Sequence, residues 1–584
     1  MLKKALSEHM PDKHPLRKPQ IAQQIPIPVT TQQPVLESED LHPAELASVG
    51  VPTESGARGP KPCSVQGLAS VEAWAFGMAA TEAFAFGLAA VKAFAFGMTT
   101  VEAFAFGMAT VEALAFGMAA ARAFASGLKS PRLSRAAATS TVVTHLPGFD
   151  GPLPFYLETG YVVTEEETGA ELFYYFVESE RSPRTDPLLL WLSGGPRCSA
   201  FSALAFQNGP LKFVVEPYDG TLPRLVYNPY SWTQMASILF LDSPVGSGFS
   251  YARDPKAYEV GDISSSRQVL TFLRKWFDDH PKHLLDRPFY IGGDSYAGKV
   301  VPLIAHYISE GIEDMQQPLI KLKGYIVGNP FTGDKIDTNS RVTFSHSFGI
   351  ISDQQYEAFI KNCKGDFLNP TNEPCADVVQ TISKLMSEVR KGNILRPICH
   401  IPSQKRRGAL EGVSSLAEER YHYQLSEAPD EPPFYCFYEY RYYLSYFWAN
   451  DNVVRAAIGI KEGTVVEWIR CKRPPILPYV YDLPNSIKYH FNLSIRGYRA
   501  LVYSGDHDLI IPFMGTQAWT RSFNFSIVDD WRAWHLDNQA AGFTIMYATN
   551  LTFATIKGGG HIPPETNPEE SFTMAKRWLD NESL

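Results

Sequence analysis

Along the chain the pattern of apolar and polar positions changes character twice. Residues 1–66 hold few aromatics and many Pro, Gln, Ser and Glu. Such a composition cannot bury enough apolar surface to offset chain entropy, so a disordered segment is expected there. From Val71 a ten-residue unit then repeats six times, beginning VEAWAFGMAA, TEAFAFGLAA, VKAFAFGMTT. On a straight helix ten residues advance about 1000°, so equivalent positions drift by roughly 80° per repeat and the phenylalanines wind around the axis. No stable amphipathic face results. A charged residue in nearly every unit also cuts the apolar runs to about nine residues, against the ~20 needed to span a bilayer. Residues 1–140 are expected to be a low-complexity extension, with no stable membrane span.

The segment 141–584 has the texture of a packed domain. "LFYYFVES" (172–179), "PLLLWLSGG" (187–195) and "ASILFLDSPVGSGFSYA" (236–252) read as strands, the last running into a glycine-rich loop. "SSSRQVLTFLRKWFDDH" (264–280) has helical apolar spacing, "RPFYIGG" is a strand, "AGKVVPLIAHYISEG" a helix, and "LKGYIVGNP" (322–330) a strand. Strands alternating with helices predict βαβ crossovers and a mostly parallel central sheet. Between Asn329 and Arg499 the alternation is lost. An insertion over the sheet's active edge, a lid at about 335–495, is expected, with "SQKRRGALEGVSSLAEER" (403–420) as its exposed strip. "RALVYSGDHDLIIP" (499–512) and "LTFATIKGGGH" (551–561) resume the strand-loop pattern, and "NPEESFTMAKRWL" closes as a helix.

Composition adds that a sizeable core is available, with 45% apolar and 13% aromatic residues. The net charge of −9 leaves no basic footprint for nucleic acid or an anionic membrane. Seven cysteines include no C-x-x-C pair and no Cys/His cluster at zinc spacing, so neither metal nor cofactor is expected. Six of them follow residue 190, an even number that fits three disulfides in an oxidising compartment or, alternatively, buried free thiols; Cys63 is left over. Sequons at Asn492, Asn524, Asn550 and Asn581 agree with secretion and glycosylation. The first thirty residues lack an apolar stretch of signal-peptide length, so the expected entry into the secretory pathway implies a leader that differs from the one at Met1.

The candidate chemistry lies in Gly293-Asp294-Ser295-Tyr296-Ala297, between a strand and a helix. A strand, a tight turn of small residues centred on serine, and a helix form the nucleophile elbow of α/β-hydrolases, here relaxed by one methyl at Ala297. That fold places an acid and then a histidine at the ends of later strands, and Asp508 in "YSGDHD" and His561 in "KGGGH" occupy such positions. His561 takes the proton of Ser295 while Asp508 fixes its tautomer. The oxyanion hole is expected from the N–H of Tyr296 and from the Gly194-Gly195 turn, with Gly195 as donor.

"WLSGGPRCS", "NPYSWTQMASILFLDSPVGSGFSYA", "GGDSYAGKVVP", "GNPFTGD", "YSGDHDLIIP" and "GGGHIPPETNPEES" occur in this order. Together they resemble the serine carboxypeptidase family, especially its plant serine carboxypeptidase-like branch, over roughly 141–584. The resemblance implies an α/β-hydrolase fold with an inserted, disulfide-bridged lid, a vacuolar or extracellular address, and the pairs Cys198–Cys471, Cys363–Cys375 and Cys399–Cys436. Peptidases of the family carry Asn and Glu, which help bind a terminal carboxylate, where this chain has Ser193 and Asp294. With Gly194, these are the expected substrate-binding residues. The shorter pair resembles the acyltransferase branch, which moves an acyl group from a 1-O-glucose ester to an alcohol or amine. The alternatives are a carboxypeptidase acting on peptide C-termini, or an inactive homologue. The last is motivated by Arg197 where the family has glycine: at positive φ it strains the loop and threatens the site, and at negative φ it faces solvent or the acyl donor.

Overall fold

Five-residue strands that are apolar on both faces mark the centre of the molecule, because a strand reads this way only when both faces of its sheet are covered. In the computed structural model, which describes residues 139–283, 287–400 and 429–584, Leu188–Leu192 and Ser237–Leu241 are buried at every position. The decapeptide repeats at 71–130, Cys63 and the strip at 403–420 lie outside the described residues.

Among the described residues the main sheet has eleven strands: β1 (Thr139–His145), β2 (Pro152–Glu165), β3 (Ala170–Val177), β4 (Leu188–Leu192), β5 (Ser237–Leu241), β6 (Phe289–Asp294), β7 (Leu322–Gly328), β8 (Arg499–Gly505), β9 (Ile527–Leu536), β10 (Gln539–Tyr547) and β11 (Leu551–Ile556). Their spatial order is β1-β2-β3-β5-β4-β6-β7-β8-β11-β10-β9. From β5 to β11 the neighbours are parallel, while β1–β3 and β9–β10 join the two ends antiparallel. The mostly parallel α/β-hydrolase sheet is as expected. Alternation along β4 divides the core: Leu189 and Trp191 pack with Trp232, Trp534 and Trp578 on one face. Leu188, Leu190 and Leu192 point to the other. There, helix α1 (Asp262–Asp279) presents Val269, Phe272, Leu273 and Trp276, and helix α2 (Ala297–Glu313) presents Val301, Ile304 and Ile308.

Two strand pairs escape the sequence reading. β1–β2 precede the first expected strand, and β9–β10 fall where no element is expected. In β9 only Trp534 is buried, so its sequence IVDDWRAWHL lacks the apolar alternation of a half-buried strand. What makes the hairpin is its turn: Asp537 and Asn538 both take positive φ (48° and 60°), the two-residue geometry whose twist matches that of the flanking strands.

Between β7 and β8 the described residues of the insertion supply no strand of the main sheet. It contains α3 (Lys335–Ser347), α4 (Asp353–Cys363), α5 (Glu373–Ser387), α6 (Phe437–Asn450) and α7 (Ile487–Ile495). Cys363–Cys375 ties the end of α4 to α5, and Cys399–Cys436 joins the segment after α5 to the residue that precedes α6. Cys198–Cys471 links the loop after β4 to the insertion across 273 residues. Of the sequon asparagines, Asn524, Asn550 and Asn581 are exposed, and Asn492 is half-buried in α7. No helix among the described residues is long and apolar enough to cross a membrane.

Because it closes so long a loop, the Cys198–Cys471 bridge restricts the unfolded chain most. Replacing both cysteines by serine should lower stability by about 3–5 kcal/mol, read as the shift in a denaturant midpoint. A non-reduced digest of the parent should yield the three named pairs, and a peptide joining Cys198 to Cys363 or Cys399 would contradict the arrangement.

Candidate active site

The turn from β6 to α2 carries the proposed nucleophile. Ser295 has φ of +57°, a left-handed conformation that costs a non-glycine residue about 1–2 kcal/mol. Three backbone bonds hold it: Ser295 N–H donates to Gly328 O (2.9 Å), and Ser295 O accepts from Gly298 N and Phe331 N (2.9 Å each). The relaxed motif has a local reason. A methyl group at Gly293 would stand 2.4 Å from Leu192 O and 2.5 Å from the Ala297 Cβ, so only one of these two positions has room for a side chain.

Ser295, Asp508 and His561 come together across separate strand ends. His561 Nε2 lies 2.8 Å from Ser295 Oγ, and His561 Nδ1 lies 2.7 Å from Asp508 Oδ2. Asp508 is fully buried and its carboxylate accepts from Ile510 N (2.7 Å), Ile511 N (3.1 Å) and Asn329 Nδ2 (2.8 Å). With those acceptor sites filled, the carboxylate cannot rotate away from the imidazole. His561 is anchored at its backbone, whose N–H donates to Gly392 O at 2.6 Å. Sequence reasoning missed Asn329 and Gly392. Asn329 was legible as the Asn of "GNPFTGD", but its task depends on β7 and β8 being neighbours.

The Gly194-Gly195 turn abuts the elbow: a methyl at Gly194 would stand 2.8 Å from Ser295 Cβ and 3.1 Å from Tyr296 N. Burial outweighs the nearby His561 and the Gly194 backbone, which favour the charged form, and pushes the Asp294 carboxyl up to about 6. No hydrogen bond joins Ser193 to Asp294. Ser193 Oγ and Asp294 Oδ1 are both buried without a hydrogen-bond partner. Ser193 is too short to reach a carboxylate that has itself been drawn back by a methylene.

Arg197 has positive φ (+67°), the condition of the strained alternative. The residue is wholly buried and its guanidinium donates to the carbonyls of Pro478, Val245 and Tyr258. Burial lowers its pKa to about 10, so the group remains charged at neutral pH. On the other side of the elbow, Tyr296 is clamped by its hydroxyl, which donates to Asp262 Oδ1 at 2.6 Å. Asp262 in turn pairs with Lys299 Nζ at 3.2 Å inside the protein.

The serine carboxypeptidase family profile matches residues 147–581. Serine carboxypeptidase-like 19 of Arabidopsis thaliana is 46% identical over 452 residues, which is 76% of this chain and 95% of that protein. Serine carboxypeptidase-like 3 of the same plant is 45% identical over 449 residues, covering 76% and 94%. Among solved structures, a prohormone-processing carboxypeptidase from Saccharomyces cerevisiae superposes with a TM-score of 0.58 at 18% identity, over 75% of this chain and 95% of that one. At that identity the likeness speaks for the fold alone. The sequence relatives, matched along nearly their whole length, carry the stronger statement: this chain belongs to the serine carboxypeptidase family.

Proposed function

We propose that the protein is an acyltransferase that moves an acyl group from a 1-O-glucose ester to an alcohol or amine through an acyl-enzyme on Ser295. The reading rests on the two unpartnered buried atoms beside the nucleophile, Ser193 Oγ and Asp294 Oδ1. Groups left unpaired inside a protein cost about 1–3 kcal/mol each unless a ligand completes them. A pair this short fits a neutral, hydroxyl-bearing ligand such as a sugar better than the carboxylate of a peptide C-terminus.

The steps balance with the residues present. His561 Nε2 accepts the Ser295 proton as Oγ attacks the ester carbonyl, and the N–H groups of Gly195 and Tyr296 stabilise the resulting oxyanion. Collapse breaks the acyl C–O bond, and glucose departs with the proton held on His561. An acceptor hydroxyl or amine then gives its proton to His561 and attacks the acyl-enzyme. The second collapse returns the proton to Ser295 Oγ and releases the new ester or amide. A carboxypeptidase uses the same acyl-enzyme with water as acceptor and a peptide as donor. The motive for an inactive homologue weakens, because the Arg197 side chain is engaged by Pro478, Val245 and Tyr258. Three disulfides and four sequons favour a secretory route to the vacuole or the cell exterior.

A fluorophosphonate probe should label the parent, and Ser295→Ala should lose the label while keeping its thermal melt; undiminished labelling would remove Ser295 from its role. Incubation with a hydroxycinnamoyl glucose plus an alcohol, and separately with a blocked dipeptide, separates transfer from hydrolysis. Ser193→Asn with Asp294→Glu should then shift the ratio toward peptide hydrolysis by about 1–3 kcal/mol, or roughly 5- to 150-fold. An unchanged ratio would mean that these two positions do not choose the reaction.

Asp294 also predicts a pH dependence. Its carboxyl titrates at about 6 in the folded protein against 3.8 in the reference state. Between these values the native state keeps a proton that the unfolded chain has lost, so the group's contribution is present at pH 4 and disappears as pH rises through 6. Asp294→Asn removes that loss. The variant should gain stability relative to the parent between pH 4 and pH 7 by on the order of 3 kcal/mol, and parallel melting temperatures across that range would refute it.

A further inference from the structure

Arg197 sits in the oxyanion turn, yet the chemistry above gives its side chain no task. Its contacts are specific. Nε and Nη2 donate to Pro478 O (3.1 and 2.6 Å), Nη1 to Val245 O (2.8 Å), and Nη2 also to Tyr258 O (2.6 Å). These three carbonyls belong to three separate segments: the insertion, the loop after β5, and the turn before α1. Around Arg197 the backbone is joined to the insertion as well. Arg197 O accepts from Lys472 N (3.1 Å), Ser199 N donates to Arg470 O (2.7 Å), and Cys198 is bonded to Cys471.

The same stretch of the insertion reaches the other oxyanion donor. Tyr479 OH donates to Asp262 Oδ1 at 3.0 Å, the atom that also accepts from Tyr296 OH. Leu483 N donates to Asp262 Oδ2 at 3.1 Å. The Tyr479 ring stands edge-on to the Tyr296 ring, 5.9 Å between centroids, and the Arg197 guanidinium carbon lies 5.8 Å from the centre of Tyr479. Segment 478–483 therefore grips the Gly194-Gly195 side through Arg197 and the Tyr296 side through Asp262.

We propose that Arg197 is a positioning residue, which clamps the Gly194-Gly195 turn onto segment 478–483 and thereby sets the separation of the two oxyanion N–H groups. The proposal rests on the reading of Ser295 as nucleophile, and it holds for transfer and hydrolysis alike. Only arginine suits the task. Its planar fork carries five N–H donors in fixed directions and spans three diverging carbonyls, whereas a lysine ammonium is a single point on a flexible stem. Loss of the fork strands buried carbonyls and frees the turn to relax, and displacements of about 1 Å in an active site lower rates on the order of 100-fold.

The test is the acylation burst with p-nitrophenyl acetate, followed by stopped flow and normalised to the sites that react with a fluorophosphonate after prolonged incubation. Normalisation discards unfolded molecules. Arg197→Met should lower the acylation rate constant per competent site by roughly 10- to 100-fold with KM changed less than about threefold. Arg197→Lys should recover less than about a third of the loss. Arg197→Gly relieves the positive φ and guards against a Met variant that does not fold; it should show the same defect, reversed at least about fivefold by millimolar methylguanidinium. A per-site rate within threefold of the parent in whichever variant folds, or a loss confined to KM, overturns the proposal, because a residue that only stabilises the fold would lower the melting temperature and leave that rate alone. The parent and Ser295→Ala run alongside: a parent without a burst would sink the nucleophile assignment itself, before any question of Arg197 arises.

Discussion

The register of four adjacent parallel strands is the constraint on which the site depends. Asp294 at the end of β6 lies opposite Gly328 at the end of β7, and Gly328 lies opposite Tyr503 in β8. Gly505 at the end of β8 lies opposite Ile556 at the end of β11. Parallel pairing makes all four strands end on the same edge, so the residues just beyond them (Ser295, Asn329, Asp508 and His561) meet there although they are spread over 266 residues of chain. Sliding one strand by one residue would turn every side chain on it to the other face and bury the wrong set. Tyr290, Ile326, Leu501 and Ala554 pack on one face of these strands and Ile291, Tyr325, Val502 and Phe553 on the other, and a slip would exchange the two fitted sets.

Around that edge the protein keeps several polar groups out of water, and they divide into two kinds. Asp508 and Asp262 are saturated with hydrogen bonds and hold other groups still. Ser193 and Asp294 are unsaturated, and Asp294 responds to burial by favouring its neutral form at acid pH. A saturated buried carboxylate gives a fixed geometry, whereas an unsaturated one has an unfilled hydrogen-bond requirement that a ligand can meet. This contrast separates the groups read as machinery from those read as substrate contacts.

The segment between β7 and β8 also touches the turns that flank Ser295. Through Cys471, Arg470, Lys472, Pro478 and Tyr479 it braces the loop after β4 and the elbow at once. A disulfide, backbone bonds and a buried guanidinium all act within a few residues of Gly195. The loop therefore carries a non-glycine residue at positive φ without losing its place, since the strain of about 1–2 kcal/mol at Arg197 is offset by its hydrogen bonds.

Local pattern was enough to read the parallel core, the elbow and the order of the three strand-end residues. Each of these is written in short contiguous stretches: apolar runs for β4 and β5, small residues around Ser295, and the loops that follow β8 and β11 for Asp508 and His561. The hairpin of β9 and β10 was not legible, because β9 is largely exposed and lacks apolar alternation, and the strongest local signal is the Asp537-Asn538 turn. Nor were the roles of Asn329 and Arg197. The sequence alone determined that an arginine stands two residues after Gly195, and left open whether it strains the loop, blocks the site or faces solvent. Tertiary structure decided the matter: the carbonyls of Val245, Tyr258 and Pro478 come from segments up to 281 residues away from Arg197. Hydrogen-bond partners that distant in sequence leave no trace in the pattern around the residue they hold.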